Sequence, residues 1–550
     1  MYNYYGRFKM KKHNIFKVVL LTILVMAVCT WIFPSAQFQS NLVIGDRVQI
    51  GLFDLFSYPM VALYYFMNIF CFMLACGAFY GVAYRIPAYD KLLKFIAKGF
   101  EGRENIFLIL MIIFISAIVS ITGLSFPIVF VFPFVISIVL LLGYNKLVAA
   151  TVTVGSTIAG IAGTTLGTTT VTYVNQILGT NAFDEMLSKV IILVIFIVLL
   201  ISYVLLYAKK TRNSLEVKTE KEEKPVAEKT VKEESKVVAV SKKDEKVTTK
   251  KKVDNKSTKT TKATAEKTKK ATSKTTQKKN SSSKTRASMA KNNAEELKVE
   301  ITSEKKKVRI WPLALIFDLV LIVMAMSMFD WEGLFEITWF NEATKAVTEF
   351  EVLGFPIFSK LLGTIGAFGY WSLNVEVTSL VLIATCVLGL VYRVKFKDFI
   401  DGAVDGMRRT VGLGGLMILI YSVLILVTYH PFQLAITKFL LDISNGLNVV
   451  TMAIAAMFAS VFNVDLTYTA QSTLPYVMTV ITDTELYPLI GVIFQSIYGL
   501  MMLVAPTSII LLGTLAYLDI PYLQWLKHIW KLFVQLLLVL VIIFLIILAV

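Results

Sequence analysis

Long apolar runs separated by short polar connectors make up most of the chain outside one central insert. A helix needs about 20 apolar residues to cross roughly 30 Å of hydrocarbon, and several runs reach that length. The pattern predicts membrane segments at 14–33, 60–84, 105–122, 126–143, 148–175, 187–208, 310–329, 376–394, 411–430, 447–462, 473–481, 487–512 and 526–549. We therefore expect an all-α polytopic membrane protein.

The first apolar run follows a basic leader, and two interpretations of it stay open. The leader, with Arg7 and Lys11 among its charges, precedes an apolar stretch that ends at Phe33. Signal peptides and uncleaved first helices share this pattern. The length of the run and the position of Trp31 near its end favour an uncleaved first helix.

The distribution of Lys and Arg in the connectors sets the predicted orientation. Basic flanks such as 85–103 and 393–409 belong in the cytoplasm, and acidic or neutral connectors such as 39–58 belong outside. Every flank fits only if 105–143 and 447–481 are re-entrant hairpins that enter from opposite sides. We therefore predict about nine transmembrane helices plus two opposed hairpins, with a cytoplasmic N-terminus and a cytoplasmic linker.

The chain is predicted to divide into three parts, and its two membrane halves match each other. An N-terminal membrane half covers 1–208, a linker covers 209–309, and a C-terminal membrane half covers 310–550. In each half a hairpin is followed by a helix that we expect to be broken, at 148–175 and at 487–512. This order predicts a two-fold pseudo-repeat with inverted transport modules.

Two basic amphipathic stretches add to the match between the halves. They cover 88–103 and 396–409, and each follows a membrane helix that ends in Tyr-Arg. Helices of this kind lie in the membrane interface with their basic residues facing the headgroups. We expect that position for both stretches.

The linker 209–309 is rich in Lys, Thr, Ser, Glu and Ala and nearly free of aromatic residues. It contains 32 basic and 15 acidic residues, so it accounts for the whole net charge of +17. Such a composition buries too little apolar surface to offset its chain entropy, which predicts disorder. A solvated spacer is the favoured interpretation, and a tether to anionic lipid or nucleic acid is the alternative.

Polar residues interrupt the apolar pattern at the expected tip of each hairpin. The first tip is Ser120–Pro127 (SITGLSFP), and the second is Phe462–Pro475 (FNVDLTYTAQSTLP). Non-helical backbone at membrane depth is tolerated where it is buried in protein or lines an aqueous cavity. Asp465 is the only acid at either tip, which makes it a candidate partner for a cation or proton; a solvated surface position is the alternative.

The segments after the hairpins carry matched breaks. Gly163-Thr164-Thr165 lies among glycines and threonines, and Pro506-Thr507-Ser508 interrupts an apolar run. A broken helix exposes N–H groups at one half-helix and C=O groups at the other, which suit an anionic group and a cation respectively. The glycine spacing alone would equally predict tight helix packing.

The candidate binding residues all lie at a tip or at a break. They are Thr122, Ser125, Gly163, Thr164, Thr165, Asn463, Asp465, Thr467, Pro506, Thr507 and Ser508.

The sequence gives no support to enzymatic chemistry. It contains no His/Asp/Glu cluster at catalytic spacing, no His-Glu-x-x-His and no phosphate-binding glycine loop. The four cysteines lie in apolar segments without metal-like spacing. We expect no enzyme activity, no metal site and no cofactor, with Na⁺ or H⁺ as the candidate coupling ion.

Three motifs resemble the YfcC-type carriers, which are grouped with anaerobic C4-dicarboxylate carriers and basic amino-acid antiporters in the ion transporter superfamily. The motifs are Thr30–Phe38 (TWIFPSAQF), Phe399–Met407 (FIDGAVDGM) and Ala505–Trp530. The resemblance covers nearly everything except 209–309. It implies an elevator-type secondary transporter, a homodimer held by its scaffold, with substrate positions at the two tips and the two breaks.

The predicted function is therefore secondary active transport, by a carrier or antiporter, of a small organic ion across the cell membrane. An amino acid and a carboxylate both stay open as substrates, because the tips depart from the residues usual in the family. The alternative is a membrane tether or scaffold that has lost transport and uses its basic linker. The expected partners are the substrate, the lipid membrane and a second copy, with no specific nucleic acid.

Overall fold

The structure is a computed structural model, and it describes residues 13–233, 308–352, 354–363, 366–371, 373–443, 448–462 and 465–549. The described residues of 1–215 and 309–550 form one compact unit, which contains all the predicted membrane segments of both halves.

Helices make up the first half, with one short β-hairpin near its start. The elements are α1 (His13–Ile32), β1 (Ser35–Gln39), β2 (Asn41–Gly45), α2 (Leu52–Ala83), α3 (Pro87–Gly99), α4 (Glu104–Thr122), α5 (Phe132–Leu141), α6 (Lys146–Ala150), α7 (Ser156–Ala162), α8 (Thr168–Leu178) and α9 (Met186–Glu233). A 3₁₀ turn, Pro127–Val131, leads into α5, and a π-helical stretch, Thr151–Gly155, joins α6 to α7.

Helices also make up most of the described residues of the second half. Its elements are α10 (Trp311–Ser327), α11 (Trp331–Phe335), α12 (Trp339–Thr348), α13 (Ile357–Leu362), α14 (Thr378–Val391), α15 (Phe396–Tyr429), α16 (Gln433–Asp442), α17 (Val449–Phe462), α18 (Leu466–Val480), α19 (Tyr487–Met501), α20 (Ile509–Leu518) and α21 (Tyr522–Ala549). A π-helical stretch, Leu373–Val377, precedes α14, and a 3₁₀ turn, Thr484–Leu486, precedes α19.

Local sequence explains several helix boundaries. Pro87 occupies the first turn of α3, where its missing N–H costs nothing. Gly123 ends α4 with φ of 71°, and Gly179 ends α8 with φ of 67°. Both values lie in the left-handed region that glycine adopts without steric cost, so each glycine stops its helix.

The described residues confirm the all-α polytopic class. Six helices are long and apolar enough to cross a membrane: Asn14–Ile32, Leu52–Ala83, Glu104–Thr122, Met186–Thr211, Phe396–Tyr429 and Tyr522–Ala549. Shorter apolar helices of 10 to 17 residues accompany them. The total of nine spans stays a prediction.

Each predicted hairpin consists of two helices, and each predicted broken helix is interrupted. Helices α4 and α5 form the first pair, and α17 and α18 form the second. The first break separates α7 from α8 over 163–167, and the second separates α19 from α20 over 502–508. The inverted orientation of the two modules stays a prediction.

The second amphipathic stretch does not form a separate interfacial helix. Residues 396–409 are the first part of α15, which runs without interruption to Tyr429. Gly402 and Gly406 of this part are buried against Gly77 and Gly81 of α2, so closely that a Cβ on any of them would clash with backbone. The stretch 396–409 is therefore not a helix of its own, and the position of its basic residues at the headgroups stays a prediction.

The helix that leads into the predicted linker is longer than expected. Helix α9 continues through Glu233, well past the predicted end of the membrane segment at 208. Lys and Glu, which are common after residue 208, are good helix formers. The division into two membrane halves and a linker at 209–309 stays a prediction. The stretch 234–307 lies outside the described residues, so its predicted disorder and tether role stay predictions.

Several short elements had no counterpart in the apolar pattern. Strands β1 and β2 pair antiparallel after α1, with Ser35 opposite Gly45. Helices α11 to α13 occupy the long connector 330–375, and α16 precedes the second hairpin. These elements are too short or too polar to register as membrane segments.

Candidate functional site

Ser120 joins the first hairpin to the first break. Its hydroxyl donates to the carbonyl of Gly163 at 2.7 Å and accepts from the N–H of Thr165 at 3.2 Å. The N–H of Thr165 also lies 3.0 Å from the carbonyl oxygen of Ser120. Ser120, Thr164 and Thr165 are all buried. The first tip and the first break therefore form one hydrogen-bonded unit.

The second half supplies donors to the same break. On α19, the amide of Gln495 donates to the carbonyl of Thr164 at 2.8 Å, and the hydroxyl of Ser496 donates to the carbonyl of Ala162 at 2.8 Å. These carbonyls end α7 and have no partner within that helix. Gly499 then packs on Ala162, where a Cβ would lie 2.5 Å from the Ala162 nitrogen. Helix α19 thus contacts break one just before break two begins.

The glycine ridge ahead of the first break packs against α9. A Cβ on Gly163 would lie 2.6 Å from the Cα of Leu193, and a Cβ on Gly155 would lie 2.8 Å from a methyl group of Leu200. The tight-packing interpretation of these glycines therefore holds. It coexists with the polar contacts of the break, because the two features occupy different sides of the chain.

The other predicted residues of the first half make local hydrogen bonds. The hydroxyl of Thr122 donates to the carbonyl of Ile118 at 2.6 Å, and the hydroxyl of Thr164 donates to that of Ile161 at 2.7 Å. The N–H of Ser125 bonds to the carbonyl of Gly123 in the tight turn of the tip. Thr122 and Ser125 are half-buried.

Aromatic side chains of α21 stabilise the second break. The indole N–H of Trp525 donates to the carbonyl of Leu503 at 2.9 Å, and the hydroxyl of Tyr522 donates to the carbonyl of Val504. On the other side of the break, the hydroxyl of Ser508 accepts from the N–H of Leu511 at 3.3 Å and caps α20. Pro506, half-buried between these groups, cannot continue a helix hydrogen-bond pattern.

Thr507 connects the second break to the second hairpin. Its buried hydroxyl donates to the carbonyl of Val461, in the last turn of α17, at 2.7 Å. Asp465 is half-buried and caps α18 by accepting from the N–H of Thr467 at 2.8 Å. Asp465 is thus not a freely solvated surface acid, and part of its acceptor capacity serves its own helix. Asn463 lies outside the described residues.

The two breaks offer the same kind of chemistry. Helices α8 and α20 each begin at a break, so their first-turn N–H groups are not used within the helix and carry the positive end of the helix dipole. Among the described residues of the tips and breaks, Asp465 is the only charged side chain. No metal-binding group of His, Cys, Asp and Glu occurs in the described part of the chain. An anionic group would therefore be met by the N–H groups of the half-helix N-termini, because the hydroxyls of Thr122, Thr164 and Thr507 donate to backbone carbonyls.

The sequence-based candidates omitted the residues that hold the breaks in place. Ser120 marks the start of the first tip but is not among the candidate residues. The candidates also lack four residues of the second half, namely Gln495, Ser496, Tyr522 and Trp525. The adjacent polar pair Gln495-Ser496 inside an apolar helix was a usable signal, because buried polar groups in membrane helices need partners. Nothing in the local pattern marks the two aromatic residues.

Comparison with known proteins adds the family. The chain matches the family model described as C4-dicarboxylate anaerobic carrier (DcuC) over residues 13–249 and 269–550. No curated protein and no solved structure matches it significantly. The matched ranges contain both hairpins and both breaks, which confirms the predicted resemblance. The chain therefore belongs to the C4-dicarboxylate anaerobic carrier family.

Proposed function

We propose that this protein is a secondary active carrier of C4-dicarboxylates that binds its substrate between the two breaks. The observation that carries the proposal is the pair of half-helix N-termini, at Thr168 of α8 and Ile509 of α20, in a chain of this family. A C4-dicarboxylate has two carboxylates, and each N-terminus offers N–H groups and a positive dipole end to one of them. A basic amino acid would find no carboxylate pair there.

Asp465 supports coupling to a cation. A doubly negative substrate near this carboxylate would be repelled unless a cation or proton offset the charge. Na⁺ or H⁺ bound with the substrate would supply that charge and link uptake to an ion gradient. Replacing Asp465 with Asn would then weaken the dependence of transport on the coupling ion while leaving the backbone cap largely intact.

The helix packing supports an elevator mechanism. Helices α2 and α15 meet through facing glycines, and Arg85, just beyond the end of α2, forms an ion pair with Asp405 of α15 at 2.7 Å. Such backbone-to-backbone packing suits a rigid scaffold, which in a homodimer would carry the subunit contacts. The hairpins and broken helices bond to one another through Ser120, Gln495 and Thr507, as a module that moves together would.

Uptake of radiolabelled succinate into proteoliposomes tests the proposal. Succinate uptake is expected to exceed lysine uptake and to be competed by other C4-dicarboxylates. The variants Thr165→Ala and Ser508→Ala should lower uptake, since each removes a hydroxyl at one break. Ser202→Ala is the matched control, because its exposed hydroxyl bonds only to Val198 of its own helix at 2.8 Å.

Two results would contradict the proposal. Equal uptake by both break variants and wild type would exclude the assigned site. Uptake of lysine but not succinate would exclude the substrate class. Counterflow with succinate trapped inside the vesicles separates exchange from net uptake, and varying Na⁺ and pH on one side identifies the coupling ion.

A further inference from the structure

A cavity of about 500 Å³ begins beside the second break, since Ile509, the first residue of α20, is part of its lining. Helices α2 and α15 form one wall, and α5 and α20 form the other. Its size falls within the roughly 300–1,000 Å³ of small-molecule sites. Most of its lining is apolar, including Met73, Phe132, Leu413, Met417 and Ile510.

Two arginines stand at one end of this cavity. Arg408 and Arg409 of α15 both line it, and both are exposed. The nearest acid on the same helix, Asp405, is already paired with Arg85 at 2.7 Å. Neither arginine forms an ion pair with any carboxylate of the described residues. Their guanidinium groups are therefore available to an anionic group at the cavity mouth.

The Ser and Thr hydroxyl groups along the cavity are used within their own helices. The hydroxyl of Ser137 donates to the carbonyl of Pro133 at 2.6 Å, that of Thr514 to Ile510 at 2.8 Å, and that of Thr410 to Met407 at 3.0 Å. The hydroxyl of Tyr80, which also lines the cavity, donates to the carbonyl of Phe130 at 2.6 Å. Such bonds leave these four side chains without a proton to offer a ligand anion. The apolar walls thus suit a hydrocarbon chain, and the arginine end suits an anion.

We propose that this cavity binds one anionic phospholipid, with its phosphate on Arg408 and Arg409 and an acyl chain against the apolar walls. A small dicarboxylate is disfavoured, because it would leave most of the apolar lining uncovered, whereas an acyl chain covers it. The predicted orientation places both arginines at the cytoplasmic surface, where anionic lipids attract basic residues. The proposal does not depend on the transported substrate.

Photolabelling of the purified full-length protein tests this site. Phosphatidylglycerol with a photoreactive group in its acyl chain is compared with phosphatidylcholine that carries the same chains, and labelled residues are mapped by mass spectrometry. Phosphatidylglycerol is expected to label cavity residues such as Leu413 and Met417. The double variant Arg408→Gln/Arg409→Gln should reduce that labelling by about fivefold for each arginine removed.

Matched variants separate the head group from the chain. Lys397→Gln removes an exposed charge of α15 that does not line the cavity, and it should leave labelling unchanged. Thr514→Phe fills the cavity without changing its charge and should reduce labelling while both arginines remain. Phosphatidylglycerol should also raise the melting temperature of wild type more than that of the double variant, because ligand binding stabilises the folded state.

The proposal would be overturned by equal labelling with the two lipids or by unchanged labelling of the double variant. An equal loss in Lys397→Gln would assign the effect to general surface charge. Displacement of the label by inorganic phosphate or by glycerol phosphate would identify a site for a free anion, and displacement by succinate would identify a substrate site.

Discussion

The two hairpins carry a serine at the same place and use it differently. Ser120 and Ser460 each lie two residues before the end of the first hairpin helix, and both are fully buried. The hydroxyl of Ser120 crosses to the first break, where it contacts Gly163 and Thr165. The hydroxyl of Ser460 donates to Ala456 of its own helix at 2.6 Å. The first hairpin is thus bound to its break and the second is not bound in this way.

A single described hydrogen bond, from Thr507 to Val461, joins the second break to the second hairpin. Buried hydrogen bonds resist opening, because a separated donor or acceptor within the protein stays unsatisfied. We therefore expect the first hairpin to move together with its break, and the second hairpin to open more readily. We therefore expect the second hairpin to act as the gate, the element that opens to let substrate reach its site.

The donors to the two breaks also differ in origin. The carbonyls of the first break accept hydrogen bonds from Gln495 and Ser496, which belong to the opposite half. The carbonyls of the second break accept hydrogen bonds from Tyr522 and Trp525 of the following helix. The first break thus depends on packing between the halves. The described donors to the carbonyls of the second break come from its own half, which makes the two breaks separable by mutation.

The largest expected effect is at Gly499, which holds the two halves together at the first break. Gly499→Ala places a Cβ 2.5 Å from the nitrogen of Ala162, and backbone at that distance cannot rotate away. We expect the free energy of unfolding to fall by about 3 kcal/mol, as for overpacked cores. The measurement is the melting temperature in detergent, together with succinate uptake.

Gly415→Ala is the matched control for this change. Gly415 also lies within a helix, but a Cβ there meets no atom within 4 Å. Alanine should raise helix stability there by roughly 0.5–1 kcal/mol. Equal stability of the two variants would show that α19 does not press on the first break.

Ser120→Ala comes second and tests the comparison between the hairpins directly. It leaves the carbonyl of Gly163 without its hydroxyl donor and should lower the free energy of unfolding by about 2 kcal/mol. Ser460→Ala should cost less than half as much, because its hydroxyl bonds only within α17. Melting temperatures of the two variants decide the matter, and equal losses would remove the proposed difference between the hairpins.

Trp525→Phe comes third and perturbs the second break alone. The change keeps an aromatic ring but removes the N–H that donates to Leu503 at 2.9 Å, at a cost of about 1 kcal/mol. Combining it with Gln495→Leu should give additive losses of stability, since the two breaks have separate donors. A strongly non-additive double variant would show instead that the breaks act as one unit.

Much of the architecture follows from apolar length and the placement of Gly, Pro and Thr. Most helices around both hairpins and both breaks lie close to their predicted bounds, because a membrane segment must satisfy its own backbone hydrogen bonds and is therefore visible as an apolar run. Helix α18 is an exception, since it begins at Leu466 rather than at residue 473. The union of 396–409 with the following membrane helix was not predicted for a tertiary reason, because Gly402 and Gly406 are buried only once α2 supplies a facing surface.

The candidate site could be predicted only in part. Thr165, Thr507 and Ser508 lie at breaks, where their hydroxyls make the bonds described above. The donors to the break carbonyls are less visible in the sequence. Gln495 donates to the carbonyl of Thr164, more than 300 residues away, and Trp525 donates to that of Leu503, about 20 residues away. Only folding brings these donors to the carbonyls. Local pattern identifies a break, whereas the groups that satisfy it come from helices that the pattern does not relate.

Thr507→Val has the smallest expected effect on stability and gives the sharpest test of the gate. Valine keeps the shape of the side chain but removes the hydroxyl that bonds to Val461 at 2.7 Å, so the free energy of unfolding should fall by about 0.5–1 kcal/mol. A cysteine introduced in place of Ser472 of α18 reports whether the second hairpin opens, because a water-soluble thiol reagent then reaches it. If the bond to Val461 holds this hairpin closed, Thr507→Val should raise the labelling rate of that cysteine. Ser120→Ala should leave the labelling rate unchanged. Each variant removes the bond that holds one hairpin to its break. Faster labelling in Ser120→Ala but not in Thr507→Val would therefore contradict the assignment and identify the first hairpin as the gate.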